Sequence, residues 1–233
     1  MGIAVVTDST CDLSAAELER LQVRRVPLYV HFRGETFQDW IEITPAELVK
    51  GIQEGADPPT TSQPTPEDFG VAYREAADAG ADAIVVVTIA SNLSGTYQSA
   101  TLAAKDAPVP VTVVDSENAS LGAGMMVRRA AAMRDAGADA DTVREALEHM
   151  RARMQLMFTV GTLEFLQKGG RIGRASAMLG SLKVDPTVVE EVHDVERGTI
   201  TDHDGTERVV LWNPGEREDV RFQHTSWDAT LDK

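Results

Sequence analysis

The chain of 233 residues has a single cysteine, Cys11. An internal disulfide is therefore impossible, and a reducing compartment is the natural setting. No histidine lies near Cys11 in sequence, so it reads as a small loop or core residue rather than a nucleophile. Positive charge is also scarce. The 22 Lys and Arg stand against 37 Asp and Glu, a net charge of -15, which repels phosphate backbones and anionic lipid surfaces and argues against a nucleic-acid partner. No apolar run approaches the length of a membrane span, so a transmembrane protein is not expected. The opening MGIAVVTDST has neither the basic stretch nor the apolar core of a signal peptide, and Val6 stands where a myristoylation motif needs Ser or Thr. The expectation is a cytoplasmic protein.

Catalytic signatures are missing as well. The chain has no G-x-x-x-x-G-K-[ST], no G-x-G-x-x-G after a strand, no G-x-S-x-G elbow and no H-E-x-x-H. Its five histidines are scattered. His193-Asp194 and His203-Asp204 could face each other across a hairpin, but no third ligand accompanies them at fixed spacing. They read as a solvated polar face, and no metal is expected.

What is present is a strand-helix alternation on a composition that is 42% hydrophobic, enough to fill a real core. IAVV from Ile3 precedes SAAELERL, AIVVVTI from Ala83 precedes GTYQSATLAAK, and VTVVD from Val111 precedes GAGMMVRRAAAMRDAG. Such alternation predicts βαβ units around a parallel sheet with helices on both faces. Ser14, Thr44 and Thr65 each stand three residues ahead of an acid, and proline follows the latter two, so each predicts a helix start. Gly80 and Gly137 mark helix ends. The stretch around Arg33-Gly34 predicts a hairpin or an edge segment. DPPTTSQPTPEDF, with four prolines, predicts an extended loop leading into the Thr65-capped helix. Met125, Met126 and Met133 read as helix-to-sheet packing or as the lining of an adaptable apolar cavity. The predicted division is an α/β domain over 1–150 and a smaller α/β domain over 151–233, a second layer starting near DTVREALEHMRARM. Turn signals at Arg197-Gly198, Asp204-Gly205 and Asn213-Pro-Gly215 predict an antiparallel meander at the end.

In open parallel sheets, ligands collect where strands end at their carboxyl edge. TIASNLSGTYQSA, Thr88–Ala100, stands at such an edge. Ser94 could cap a helix starting near Gly95, and Ser91 supplies another donor, so together with the helix dipole they could bind an anionic oxygen pair. The alternative is an ordinary cap and turn. TTSQPT offers Thr60, Thr61 and Ser62 on a proline-stiffened loop, which also reads as solvated turn residues. In QKGGRIGRASAMLG, Gly169-Gly170 can stop a helix and leave Arg171 or Arg174 facing an anion, or pairing with the acidic surface. Asp8 in TDST is as suited to holding loop backbone as to chemistry.

Taken together, TDST, TSQPT, SNLSGTYQSA, VVDS and KGGRIG, in that order across residues 1–182, resemble the DegV family of FakB-like fatty-acid-binding proteins. The resemblance implies a two-domain α/β protein enclosing a long-chain fatty acid in a tunnel between the domains, without cofactor or catalysis of its own. It implies that Thr61 with Ser62, and Ser91 with Ser94 and Gly95, hold the carboxylate, with Arg171 near the acid head group. It also implies that the acyl chain is presented to a separate ATP-dependent fatty acid kinase. Family members are usually longer and carry a histidine in an HxGPG-like segment. Nothing similar follows Leu182, and His224 in RFQHTSW lacks those glycines. The residues alone leave two other readings open: an enzyme acting on a small anionic substrate at the same hydroxyl loops, and a scaffold whose acidic surface meets a basic partner.

Overall fold

The computed structural model describes residues 2–154, 156, 168–170, 196–201 and 207–212. The chain divides into two units, Met1–Leu182 and Lys183–Lys233. In the first unit, β1 (Ile3–Asp8), β2 (Val23–Val26), β6 (Ala83–Thr88) and β7 (Val111–Asp115) form a parallel sheet in the order β2-β1-β6-β7. Alternate strand residues face opposite sides, because strand side chains repeat every two residues. Val5, Val85 and Val87 pack with Leu18 of α1 (Ala15–Arg20), with Met126, Val127 and Ala130 of α5 (Leu121–Asp135), and with Val143 and Leu147 of α6 (Ala140–Arg151). Val6, Ile84 and Val86 pack on the other side with Phe69 and Tyr73 of α3 (Pro66–Asp78) and Ala100 of α4 (Thr96–Ala103). The expected parallel sheet with helices on both faces is therefore present. The helix drawn from DTVREALEHMRARM shares the first of these two cores, so it completes the parallel-sheet layer rather than opening another.

The helix starts follow from local hydrogen bonding. Ser14 accepts the Glu17 N–H at 3.2 Å. Thr44 opens α2 (Pro45–Gln53) with a capping box: its hydroxyl accepts the Glu47 N–H at 3.3 Å while Glu47 accepts the Thr44 N–H at 2.8 Å. Thr65 and Asp68 repeat the arrangement at α3, at 3.2 and 2.7 Å. Each box satisfies two otherwise orphaned N–H donors, and the proline that follows has no N–H to satisfy.

Between β2 and α3 the chain builds a separate antiparallel sheet in the order β4-β3-β5, from β3 (Tyr29–Phe32), β4 (Glu35–Gln38) and β5 (Thr60–Ser62). The Arg33-Gly34 hairpin has positive φ at both residues, 53° and 83°. Arg33 tolerates the left-handed conformation while its guanidinium bonds Glu54 at 2.9 Å and lies 5.3 Å from the Phe32 ring centre. One expectation is corrected here: Thr60–Ser62 is not a free loop but a strand on the open edge of β3, pairing Val30 with Thr61. Proline disfavours helical backbone in the residue before it, so Pro59 and Pro64 bias the residues flanking this segment, Pro58 and Gln63, toward extended backbone.

In the second unit, β8 (Glu196–Thr201) and β9 (Glu207–Trp212) form an antiparallel pair, as the expected meander requires. Arg197-Gly198 lies inside β8, opposite Leu211 and Val210, and so is not a turn. The connection over 202–206, with Asp204-Gly205, lies outside the described residues, as do His193 and Asn213-Pro-Gly215.

Helix α1 is tied to α5 by a two-pronged ion pair, Arg128 Nε and Nη2 to Glu17 at 2.6 and 2.9 Å. These hydrogen bonds hold the Glu17 carboxyl below the usual carboxylate range. The stabilisation is therefore present above the ordinary carboxylate pKa and is lost as pH falls through the depressed folded value. Glu17→Gln should lower unfolding free energy by about 0.5–1 kcal/mol at neutral pH. In urea melts that difference should shrink toward zero at acid pH, and one that persists undiminished would contradict the pairing.

Candidate functional site

Helix α1 carries the chain from β1 to β2 on one face of the sheet, and α3 carries it from β2 to β6 on the other. The direction of strand order therefore reverses between β1 and β6, and the crevice outside their carboxyl ends is where such sheets take ligands. Asp8 ends β1 there, only 1% exposed. One of its oxygens accepts the Thr10 N–H at 2.9 Å and the Thr10 hydroxyl at 2.6 Å, and the other accepts the Ile89 N–H at 2.7 Å. Burial pushes the Asp8 carboxyl pKa up, against the opposing pull of these hydrogen bonds. Of the two roles open to Asp8 in sequence, the structure gives it the backbone-holding one: it ties the end of β1 to the turn after β6.

That turn is held from the other side by β7. Asp115 Oδ1 accepts the N–H groups of Ser91 at 3.1 Å and Glu117 at 2.9 Å, and the Asn118 carbonyl accepts the Ala90 N–H at 2.8 Å. Ser91 is exposed, and its hydroxyl has no hydrogen-bond partner among the described residues. Ser94 differs. Its hydroxyl lies 2.8 Å from Thr96 Oγ1 and 3.4 Å from the Thr96 N–H, while Gly95 occupies the cap position of α4 with no side-chain cap. The cap position thus falls one residue beyond the expected Ser94, and the helix begins at Thr96.

On the second predicted segment, the strand pleat sends Thr61 and Ser62 to opposite faces. Ser62 Oγ lies 3.0 Å from His31 Nε2, and His31 Nδ1 lies 2.9 Å from Thr36 Oγ1. Thr61 is exposed, and its hydroxyl has no hydrogen-bond partner among the described residues. The two segments meet through Gln63, whose Nε2 donates to Ser99 Oγ of α4 at 3.1 Å and whose amide covers Gly95. Of the six predicted binding residues, Thr61 and Ser91 thus keep free hydroxyls, Ser62 and Ser94 are engaged locally, and Gly95 is covered. Arg171 lies outside the described residues, as does Arg174. Gly170 has φ of 70° after a helical Lys168, as a helix stop there requires.

Several polar groups at this edge have no role assigned from the sequence, although Thr88 and Ser9 lie within the TIASNLSGTYQSA and TDST stretches. Thr88 is fully buried, and its hydroxyl has no partner among the described residues. Ser9 accepts the Leu28 N–H at 3.0 Å and bonds Asp39, whose carboxyl burial pushes up in pKa against that bond. Arg25 stands 6.0 Å from the Trp40 ring centre with one guanidinium nitrogen buried and unpartnered among the described residues. Only the closure of two sheets onto one edge brings these side chains together, so no spacing along the chain announces them. Among the described residues, no cluster of three or more His, Cys, Asp or Glu side chains is placed to hold a metal ion, and no helix is long and apolar enough to cross a membrane.

The fold and this edge define an α/β protein of the kind that collects ligands where a parallel sheet reverses its strand order. The chain belongs to the DegV family: that family's model, described as "Uncharacterised protein, DegV family", matches residues 2–199, extending past Leu182. A DegV domain-containing protein of Deinococcus radiodurans is 43% identical over 199 residues, covering 85% of this chain and 70% of the relative. A DegV family protein of Thermus thermophilus, described as fatty-acid binding, is 44% identical with a TM-score of 0.71, covering 93% of this chain and 74% of that one. A stearic acid-binding protein of Eubacterium ventriosum is 28% identical with a TM-score of 0.65, covering 93% and 72%.

Asp8→Ala would leave the buried N–H of Ile89 and the half-buried N–H of Thr10 without acceptors. It should cost about 3 kcal/mol of unfolding free energy in urea titration, and Asp8→Asn, which keeps one acceptor oxygen, less. A loss below about 0.5 kcal/mol for Asp8→Ala would show that the carboxylate is not what joins the two strand ends.

Proposed function

We propose that this chain binds a long-chain fatty acid, holds its carboxylate with the hydroxyls of Thr61 and Ser91, and accommodates its acyl chain in an apolar tunnel. The observation that carries the reading is the pair of exposed hydroxyls left without internal partners. They stand on two segments joined at the ligand edge of the sheet, in a member of a family whose solved structures include fatty-acid-binding proteins. A carboxylate leaving water needs replacement donors, because an unpaired desolvated charge is expensive. Hydroxyl and backbone N–H groups supply them and leave the carboxylate ionised. Arg171 is the proposed basic neighbour of the head group, with Ser62, Ser94 and Gly95 shaping the two donor segments. The protein itself performs no chemistry in this reading. It works in the cytoplasm and presents the bound acid to a separate ATP-dependent kinase that phosphorylates the carboxylate.

Denaturing extraction of the purified protein followed by mass spectrometry should release a long-chain fatty acid in near-stoichiometric amount. Thr61→Ala and Ser91→Ala should each weaken stearic acid binding roughly tenfold, the loss of one hydrogen bond to a charged group. Protein that is repeatedly empty, and that takes up no added fatty acid, would overturn the reading.

One contact favours a second reading, an enzyme acting on a small anionic substrate at the same loops: the 3.0 Å approach of His31 Nε2 to Ser62 Oγ, a nucleophile-base distance. The group on the far ring nitrogen is the neutral Thr36 hydroxyl, which stabilises an imidazolium less than a carboxylate would. Turnover of a small anionic ester that disappears in Ser62→Ala, with no lipid bound at any stage, would support the enzyme.

A further inference from the structure

Neither sheet ladder sets the distance between the two hydroxyl segments. Thr61 belongs to the antiparallel sheet, whereas Ser91 follows β6 of the parallel one. Among the described residues, the direct hydrogen bond between these segments is the one from Gln63 Nε2 to Ser99 Oγ, 3.1 Å. Its geometry depends on a glycine. A Cβ on Gly95 would stand 2.0 Å from Gln63 Oε1, 2.6 Å from Cδ and 2.7 Å from Nε2, so the amide lies flat against the backbone at the start of α4 in space that any larger residue would occupy. Gln63 itself sits between Ser62 and Pro64, and the proline restricts its backbone to extended conformations. A stiff main chain on one side and a helix on the other make the amide the hydrogen-bonded link between the two segments.

We infer that Gln63, seated on Gly95, is a positioning residue that fixes the separation of Thr61 and Ser91 and so makes the site selective for a carboxylate over a neutral head group. The inference rests on the fatty-acid reading and adds to it the part that sets head-group specificity. Gln63 need not touch the ligand. Two hydroxyls held at a fixed spacing can bond the oxygens of one carboxylate together, whereas an ester offers a weaker acceptor and gains less from alignment.

The test measures binding of stearic acid and of methyl stearate to the full chain. Gln63→Met, which keeps the bulk and loses the hydrogen bond, and Ser99→Ala, which removes the acceptor, should each weaken stearic acid roughly tenfold, the size of a misaligned charge-assisted hydrogen bond, with methyl stearate held within about twofold. Gly95→Ala should act in the same direction by displacing the amide. The Gly95→Ala/Gln63→Ala double variant should bind the acid no worse than Gln63→Ala alone, because the new methyl then enters vacated space, a non-additivity expected only of residues in contact. Full acid affinity in Gln63→Met and Ser99→Ala, or equal losses for acid and ester, would overturn the inference while leaving the fatty-acid reading intact. Wild-type protein that binds neither ligand would overturn both.

Discussion

The carboxyl edge of the parallel sheet depends on one buried carboxylate. Asp8 spans the point where strand order reverses, with one oxygen closing the turn at Thr10 and the other reaching across to Ile89. A sheet of this kind parts its loops at the reversal, so the β1–β6 ladder, which runs as far as Thr7 and Val87, is not continued by the connections beyond it. Three hydrogen bonds accepted by one side chain extend the connection past the end of that ladder. They also offset part of the cost of keeping an acid in a position 1% exposed: burial disfavours its charge, while three donors bond its oxygens and are themselves satisfied by them.

Beyond that connection, the edge is assembled from parts that different physics positions. Asp115 and the Asn118 carbonyl hold the Ser91 turn from the β7 side by backbone N–H groups. The Thr61 segment is held as an edge strand by pairing with β3. Side-chain engagement then sorts the hydroxyls. Ser62 is committed to His31 and Ser94 to Thr96, while Thr61 and Ser91 remain free to bond something else. A cluster that looks redundant along the chain is thus divided into residues that hold the frame and residues that face outward.

Much of this was legible in the residues, and the exceptions have common causes. The capped starts at Thr44 and Thr65 are readable because a capping box is a local interaction between residues three apart. The sheet and its two cores are readable because apolar strand runs alternate with amphipathic helices. The three-residue strand Thr60–Ser62 is not, because what makes it a strand is the open edge of β3, some thirty residues earlier in the chain. Arg197-Gly198 carries turn chemistry yet lies within β8, where pairing with β9 overrides the local preference. The network of Ser9, Asp39, Arg25 and Trp40, like the joint made by Gln63 on Gly95, exists only after the antiparallel excursion folds back on the sheet. Local signals survive translation into sequence patterns; contacts between distant segments do not.

The division of labour within the proposed site follows from magnitudes. A chain of net charge -15 repels a carboxylate at long range, but charges beyond a Debye length of about 8 Å at physiological ionic strength are largely screened, so the scattered surface acids act weakly at the edge. Donors in contact with the head group are not screened in this way. Even so, a few hydrogen bonds that only replace lost water contribute about 1–3 kcal/mol each, whereas each buried methylene of an acyl chain contributes about 0.8 kcal/mol and a long chain has many of them. Affinity in such a site therefore resides mainly in the tail. The head-group donors decide which end is held and where it stops, and that is a question of spacing rather than of strength. An edge held by Asp8, Asp115 and Gln63 is suited to that task, because each fixes a segment that carries a free hydroxyl or abuts one that does.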